Sequence, residues 1–363
     1  MSTGFVWEER YAWHDTGAGG GPLRAGGWIE PGEPMAEHAA TKRRIRNLLE
    51  ASGLLDRLVR LRARPATVEE LCRFHTAEHM ARIEALSAGE GGEAGLDAWV
   101  GRGSYDIARL AAGGVLVAVE AVLEGRVDNA YALVRPPGHH AVAGEGKGFC
   151  LFNNLVVAAH HARAQAAVGR IAIVDWDVHH GNGAQSAFFD DPDTLTISLH
   201  QDNVFPPDSG HVDETGVGTN VNVVLPPGCG IGAYRDAFAR VVLPALRSFR
   251  PQLILVACGF DAACQDPLGA MILPPSEFAN LTRMTMEAAA DCCGGRLVLA
   301  HEGGYSTAVT PFCGLATIEQ LAGERTPVED PYSGPFTAMG GQELAPHQAA
   351  AVDRAAALVA GLG

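Results

Sequence analysis

The sequence predicts an α/β fold, a single domain with a mainly parallel open sheet and helices on both faces. Short apolar runs rich in Val, Ile and Leu alternate with longer amphipathic stretches, which is the pattern of parallel strands covered by helices. The 363 residues, 47% of them hydrophobic, suffice for a large core. No linker-like segment or internal repeat divides the chain, so we expect residues 1–363 to form one domain.

The individual elements follow from the same patterns. Apolar runs predict strands at 130–134, 171–176, 195–199, 221–225, 253–258 and 297–301. Amphipathic periodicity predicts helices at 37–52, 105–124, 155–167, 233–249 and 276–292. Reactive residue types follow four of the strands, in the segments 135–140, 177–180, 259–266 and 302–305. Because open α/β sheets bind ligands beyond the carboxyl ends of their strands, these segments should share one crevice.

The segment 171–182 is the most informative, because an apolar strand runs into metal-binding residue types. Strand side chains alternate between faces, so Asp175, Asp177 and His179 point the same way. Carboxylate and imidazole ligands suit a divalent ion such as zinc, and three protein ligands with an open position make a site catalytic. This segment supplies two ligands, so a third must come from elsewhere. The alternative is a polar loop whose histidines cap a helix.

The net charge and the cysteine content indicate which partners and which cellular compartment are expected. A net charge of -15 argues against nucleic acid as the main partner, because phosphate binding needs clustered Lys and Arg. The amino terminus lacks the features of a secretory signal, and no apolar run is long enough for a bilayer, so no membrane attachment is expected. The eight cysteines form no CxxC pair, which favours a reducing cytoplasm.

Six motifs carry a resemblance to a known family. They are PPGHH at 136–140, GFCLFNN at 148–154, DWDVHHGNG at 175–183, FPPDSG at 205–210, GFDAACQDP at 259–267 and EGGY at 302–305. In this order they extend over most of the chain, which resembles the zinc-dependent histone deacetylase-like amidohydrolases of the arginase/deacetylase superfamily. Glu302 and Asn182 resemble the class II variants. The resemblance implies hydrolysis of acetyl or other short acyl groups from acyl-lysine in proteins or peptides.

The resemblance also implies the zinc ligands. Asp177 and His179 would be joined by Asp266, which supplies the missing third ligand. For Asp261, five residues earlier on the same loop, the resemblance implies no metal role; a hydrogen-bonding role is expected instead.

The tandem histidines are expected to transfer protons. The resemblance pairs His139 with Asp175 and His140 with Asn182. Because a carboxylate raises the pKa of an imidazole more than a neutral amide does, we expect the two rings to differ in protonation. His140 is our candidate for general base and acid, and His139 for an electrostatic and orienting partner. The division of roles between them is left open.

The remaining candidates concern the transition state and the substrate. Tyr305 follows two glycines, which allow a sharp turn, and its hydroxyl would donate to the oxyanion. Phe149 and Phe205 resemble the aromatic walls of an acyl-lysine tunnel, where the Gly148 carbonyl would accept a hydrogen bond from the substrate amide. Leu273 is a further candidate for the tunnel wall. Core packing is the alternative for both phenylalanines.

Potassium is implied by the resemblance alone. One ion would lie behind the zinc site, held by Asp175, Asp177, His179, Ser198 and Leu199. A second, distal ion would lie near Phe188 and Thr194.

Three other functions are alternatives to this one. An arginase-like hydrolase with two bridged metals needs a carboxylate at the position of Gly181, so amide chemistry is favoured. A deacetylase of small acylated amines such as acetylpolyamines would share the machinery and differ at the tunnel mouth, which the loop 13–34 should shape. A noncatalytic acyl-lysine binding module would bind without turnover. The sequence does not predict the oligomeric state, and a homo-oligomer is one of the possible states.

Overall fold

The computed structural model describes residues 1–166 and 168–359, and an eight-stranded sheet forms its centre. In chain order the strands are β1 (Thr3–Val6), β2 (Gly19–Gly20), β3 (Leu23–Arg24), β4 (Val59–Leu61), β5 (Gly92–Glu93), β6 (Trp99–Val100), β7 (Asn129–Ala132), β8 (Ile171–Asp175), β9 (Thr194–Gln201), β10 (Asn220–Leu225), β11 (Leu253–Cys258) and β12 (Leu297–His301). β2 with β3 and β5 with β6 form short antiparallel ribbons. The main sheet has the order β10-β9-β8-β11-β12-β7-β1-β4, with every pair parallel. The predicted α/β fold is confirmed.

The direction of strand addition reverses at β8. From β8 the chain continues outward through β9 and β10, and then returns on the other side of β8 with β11 and β12. Asp175, the last residue of β8, lies opposite Ala257 of β11 and Ser198 of β9; β11 ends at the next residue, Cys258, and β9 continues to Gln201. Such a switch point opens a crevice beyond the strand ends, where α/β proteins bind ligands.

Helices cover both faces of this sheet. They are α1 (Ala39–Ala51), α2 (Val68–Leu71), α3 (Ala77–Ala88), α4 (Ser104–Leu123), α5 (Asn154–Ala166), α6 (Asn182–Phe188), α7 (Ile231–Ala237), α8 (Leu243–Phe249), α9 (Pro275–Cys293), α10 (Thr310–Ala322), α11 (Ser333–Ala338) and α12 (Pro346–Val359). Side chains of α4 and α5 fill the core on one face, and those of α1, α9, α10 and α12 fill the core on the other. Of the helices in the described ranges, none combines the length and apolar character needed to cross a bilayer.

Most predicted elements are confirmed. The strands predicted at 253–258 and 297–301 coincide with β11 and β12, and the other four overlap β7 to β10 within a few residues. The helix predicted at 155–167 corresponds to α5, and its final position lies outside the described residues. The helix predicted at 233–249 is interrupted, because a π turn at Phe238–Val242 separates α7 from α8. Pro244 lacks the N–H that a regular helix would use there.

Candidate active site

A cavity of about 400 Å³ opens at the carboxyl ends of the strands. Its walls combine imidazole, aromatic and apolar groups from His140, Gly148, Phe149, His179, Phe205, Leu268 and Tyr305. These residues lie on the loops that follow β7, β8, β9, β11 and β12. The rim segments that follow separate strands therefore meet in one crevice.

Three buried side chains beside this cavity have the spacing of a metal site. The ligand atoms of Asp177, His179 and Asp261 all lie within 4.8 Å of one another. His179 Nδ1 lies 2.9 Å from Asp177 Oδ1 and 3.1 Å from Asp261 Oδ2. The second contact lacks hydrogen-bond geometry, so Asp261 Oδ2 is buried without a hydrogen-bond partner among the described residues. Two buried carboxylates facing one imidazole fit a divalent ion such as zinc.

The pKa values of this cluster show strong mutual interaction. Burial, together with the charge of Asp177, raises the pKa of Asp261 to about 8. Burial would also raise the pKa of Asp177, but His139 and His179 outweigh it and hold that pKa well below its usual range. Burial would lower the pKa of His179, but the two carboxylates raise it well above its usual value. Asp177 and His179 therefore stabilise each other in their charged forms, and Asp261 holds its proton more tightly than an ordinary aspartate does.

Asp266, the predicted third zinc ligand, lies on the neighbouring part of the loop after β11. Its Oδ2 accepts hydrogen bonds from the backbone N–H groups of Tyr305 at 2.7 Å and Ser306 at 3.3 Å, and its Oδ1 accepts one from Leu268 at 2.9 Å. Burial raises the pKa of Asp266 to about 6, although His179 is near enough to lower it. The tight cluster thus contains Asp261, to which the sequence gives no metal role, and Asp266 lies beside it.

The tandem histidines each have a different partner. His139 Nδ1 lies 2.9 Å from Asp175 Oδ2, and His140 Nδ1 lies 2.8 Å from Asn182 Oδ1. Their ring centroids are 3.8 Å apart. Burial would lower the pKa of His139, but Asp177 and Asp175 outweigh it and raise that pKa to about 10. Burial and the charge of His139 hold the pKa of His140 well below its usual range. One ring is therefore charged and the other neutral at pH 7.

Glu302 supports the histidine loop, a role that the sequence does not predict. Its Oε2 accepts hydrogen bonds from the backbone N–H groups of Gly138 at 2.6 Å and His139 at 3.1 Å. Burial raises the pKa of Glu302 to about 7. The one available signal is its position directly after β12, which places it on the same rim as the histidines.

Aromatic rings and one glycine shape the cavity. Phe149 contacts Tyr305 edge-on with centroids 5.9 Å apart, and Phe205 contacts His140 edge-on at 4.8 Å. Gly148 has φ +48°, and a Cβ there would lie 2.4 Å from His140 Cδ2 and 2.6 Å from Phe205 Cε1. Only glycine fits this position. Burial raises the pKa of Tyr305 well above its usual value, so the phenol keeps its proton.

The structure places Leu273 in the hydrophobic core rather than on the cavity wall. Its side chain is fully buried, and its backbone pairs with Ala262 and Cys264. Leu268, five residues earlier, lines the cavity instead. The loop after β11 bends back on itself between these two positions, which spacing along the chain does not reveal.

The residues implied for the inner potassium lie behind the metal cluster. A small void, with room for about one water molecule, touches Asp175 and Ser198. Asp175 Oδ1 accepts a hydrogen bond from the Asp177 backbone at 3.0 Å, and Leu199 is buried in β9. The void and these oxygens are compatible with a small bound ion.

The region implied for the distal potassium already holds a protein cation. The Arg163 guanidinium donates to Asp191 Oδ2 at 2.6 Å and to Thr194 Oγ1 at 2.7 Å. It also lies over the Phe188 ring, 5.8 Å from the centroid. The carboxylate of Asp191 is thus balanced within the chain.

Comparison with known proteins identifies the family. The family model described as histone deacetylase domain matches residues 35–321. The chain is 50% identical over 335 residues to the histone deacetylase-like amidohydrolase of Pseudomonas aeruginosa, covering 91% of this chain and 88% of that protein. It is 39% identical over 305 residues to the polyamine deacetylase HDAC10 of Homo sapiens, covering 79% of this chain and 44% of that protein. The crystal structure of the HDA15 HD domain aligns with a TM-score of 0.85 at 33% identity, covering 99% of this chain and 94% of that one.

The fold, the site and the relatives together indicate an amidohydrolase with an α/β fold. The chain belongs to the histone deacetylase domain family.

Proposed function

We propose that the protein is a zinc-dependent, class II type deacetylase that removes acetyl or other short acyl groups from acyl-lysine in proteins or peptides. The observation that carries this proposal is the meeting of the histidine pair, the metal-type cluster and Tyr305 around one cavity. Zinc would be held by Asp177, His179 and Asp266, and when bound it would polarise the substrate carbonyl and acidify water. Gly181 offers no carboxylate for a second bridged metal.

The cavity walls would bind the acyl-lysine side chain. Phe149 and Phe205 offer apolar faces to its methylene groups, each of which gains about 0.8 kcal/mol when buried. The Gly148 carbonyl would accept a hydrogen bond from the substrate amide. This arrangement orients the scissile amide toward the histidine pair.

The chain's own groups would then move the protons. His140, whose partner is the neutral Asn182, would accept a proton from water and deliver it to the departing amine. His139, paired with the carboxylate of Asp175, would remain charged and stabilise the developing negative charge. The Tyr305 hydroxyl would donate a hydrogen bond to the oxyanion, a contribution commonly worth about 3 kcal/mol.

Small acylated amines are the second candidate substrate class. One relative is named a polyamine deacetylase. Asp97 also lines the cavity mouth, together with Pro22 of the loop 13–34, and a carboxylate there would attract a cationic amine tail. The catalytic groups would be the same for both classes.

A direct competition separates these substrates. The zinc-loaded protein is assayed with an acetyl-lysine peptide and with acetylpolyamines under identical conditions, and kcat/KM is compared. We expect the peptide to be preferred by about tenfold, because the apolar walls match the lysine methylene groups; the Asp97 carboxylate at the mouth would reduce this preference without reversing it. The reverse ranking would assign the enzyme to small amines. Binding without zinc-dependent turnover of any of them would instead indicate the noncatalytic module.

We also propose a single deacetylase domain over residues 1–363, one inner potassium ion and a cytoplasmic location. The domain proposal is supported by β1 and α12. These elements are far apart along the chain, and both contribute side chains to the same hydrophobic core. The location is supported by eight cysteines that are all free thiols.

A further inference from the structure

Two buried cations share one buried carboxylate beneath the cavity. Glu37 Oε1 lies 3.1 Å from Lys42 Nζ and 2.8 Å from Arg135 Nε, and none of the three side chains is more than 2% exposed. Burial would raise the pKa of Glu37, but Arg135 and Lys42 outweigh it and hold that pKa well below its usual range. The trio therefore keeps a net positive charge in the interior, where an uncompensated charge is costly.

The neighbouring imidazoles carry no charge of their own. Burial and the charge of Arg135 lower the pKa of His14 to about 3. Burial and the charge of Lys42 hold the pKa of His301 well below its usual range. Both rings are neutral at pH 7, so they add no positive charge beside Lys42 and Arg135.

The Lys42 ammonium faces the ring of Tyr305. Its Nζ lies 5.6 Å from the ring centroid, within the range of a cation–π interaction. Its contact with Glu37 lacks hydrogen-bond geometry, and within residues 1–166 and 168–359 Nζ has no hydrogen-bond partner. Arg135, in contrast, also donates to the Tyr11 carbonyl at 3.1 Å. Among Glu37, Lys42 and Arg135, Lys42 is thus the cation whose N–H groups make no hydrogen bond to a described residue.

Tyr305 in turn depends on contacts to its ring. Its backbone N–H donates to Asp266, and Phe149 and Met35 pack against its side chain. Its hydroxyl makes no hydrogen bond to another described residue, and a donor for the oxyanion must remain free in this way. The position of the hydroxyl is therefore set by the groups that touch the ring.

We propose that Lys42 is a positioning residue for Tyr305, holding the ring by a cation–π contact and strengthening its hydroxyl as a donor. A cation over the ring face draws electron density from the phenol, which makes the O–H a better hydrogen-bond donor. The inference rests on the proposed role of Tyr305 at the oxyanion. Lys42 itself would not touch substrate.

A double-mutant cycle tests this inference. Lys42→Met, Tyr305→Phe and the double variant are compared with the unchanged zinc-loaded protein, using one acetyl-lysine peptide. We expect Lys42→Met to lower kcat by about tenfold with KM within about twofold, since a buried cation–π contact is worth about that factor in rate. In the Tyr305→Phe background, we expect Lys42→Met to cause no further loss. Arg46→Met, the same type of change on the outer side of α1, should leave kcat unchanged.

The outcomes separate this inference from the proposed function. An equal loss from Lys42→Met in both backgrounds, or no loss in either, would overturn the positioning role. Full activity of Tyr305→Phe would overturn the proposed role of Tyr305, and this inference with it. Thermal melting of each variant checks folding. Should Lys42→Met not fold, Lys42→Gln, which keeps a donor for Glu37, completes the same cycle.

Discussion

At the residue scale, two aspartates are candidates for the third ligand of the proposed metal site. The resemblance assigns Asp266, whose two oxygens already accept three backbone hydrogen bonds. The geometry places Asp261 nearest to Asp177 and His179, with one oxygen unpaired. A ligand held firmly by backbone donors is well oriented for a metal, while a carboxylate in contact with the ligand imidazole tunes the basicity of that imidazole. These two roles lead to different mutant behaviour.

Asparagine substitutions at these two positions should affect zinc unequally. We expect Asp266→Asn to lose stoichiometric zinc, because a ligand charge is removed, and Asp261→Asn to bind zinc about 10-fold to 100-fold more weakly. Asp261→Asn keeps an oxygen that can accept the 2.7 Å hydrogen bond from the Val178 backbone. Zinc per chain is measured after dialysis against a competing chelator. Loss of zinc in Asp261→Asn alone would identify Asp261 as the ligand.

The sequence could predict which side chains meet, but not all of their contacts. The strand ends place the histidine pair, Asp177 and Tyr305 on one rim, and the structure brings them together. The contact of Asp261 with His179 and the bonds of Glu302 depend on how separate loops cross. One such crossing is the Gly303 N–H that donates to Asp177 Oδ2 at 2.8 Å. Loop crossings leave no periodic signal in the chain.

At the element scale, α4 is held by one close backbone contact. A Cβ on Gly113 would lie 1.7 Å from the Arg64 carbonyl oxygen and 2.6 Å from the Ala66 nitrogen. The same segment is anchored to the helix by the Ala66 N–H, which donates to the Arg109 carbonyl at 2.8 Å. α4 therefore approaches the chain at 64–66 as closely as only glycine allows.

Gly113→Ala should destabilise the protein despite the helical preference of alanine. Alanine gains about 1 kcal/mol over glycine in a helix interior, but displacing packed backbone costs about 1–3 kcal/mol and more for so close a contact. We expect a net loss of about 1–2 kcal/mol in the free energy of unfolding, measured by urea denaturation. Gly334→Ala in α11, which meets no atom within 4 Å, is the matched control and should not destabilise. Equal stability of the two variants would contradict the packing argument.

Element prediction succeeded where strands are buried on both faces. β11 and β12 lie inside the sheet and read as continuous apolar runs, so their bounds were predictable. β1 has four residues including a glycine, and the edge strand β4 has three, two of them exposed. Such short runs fall below any periodic signal. The π turn between α7 and α8 lies just before Pro244. A proline can either kink a helix or terminate it, so the sequence does not predict this turn.

At the scale of the whole molecule, the sheet topology places the chemistry. Five loops from separate strands reach one cavity because the strand order reverses at β8. The inner walls are apolar, and the ionisable groups lie at the base, each with a partner from another loop. We propose that this convergence holds one zinc ion which the reaction requires.

Reconstitution with zinc tests that claim most directly. The protein is stripped with a chelator, and deacetylation of an acetyl-lysine peptide is followed while zinc is added back to a measured stoichiometry. We predict that the stripped protein is inactive, that one zinc per chain restores turnover, and that the melting temperature rises as zinc binds. Undiminished turnover by the stripped protein, or zinc binding at this site without any turnover, would contradict the account.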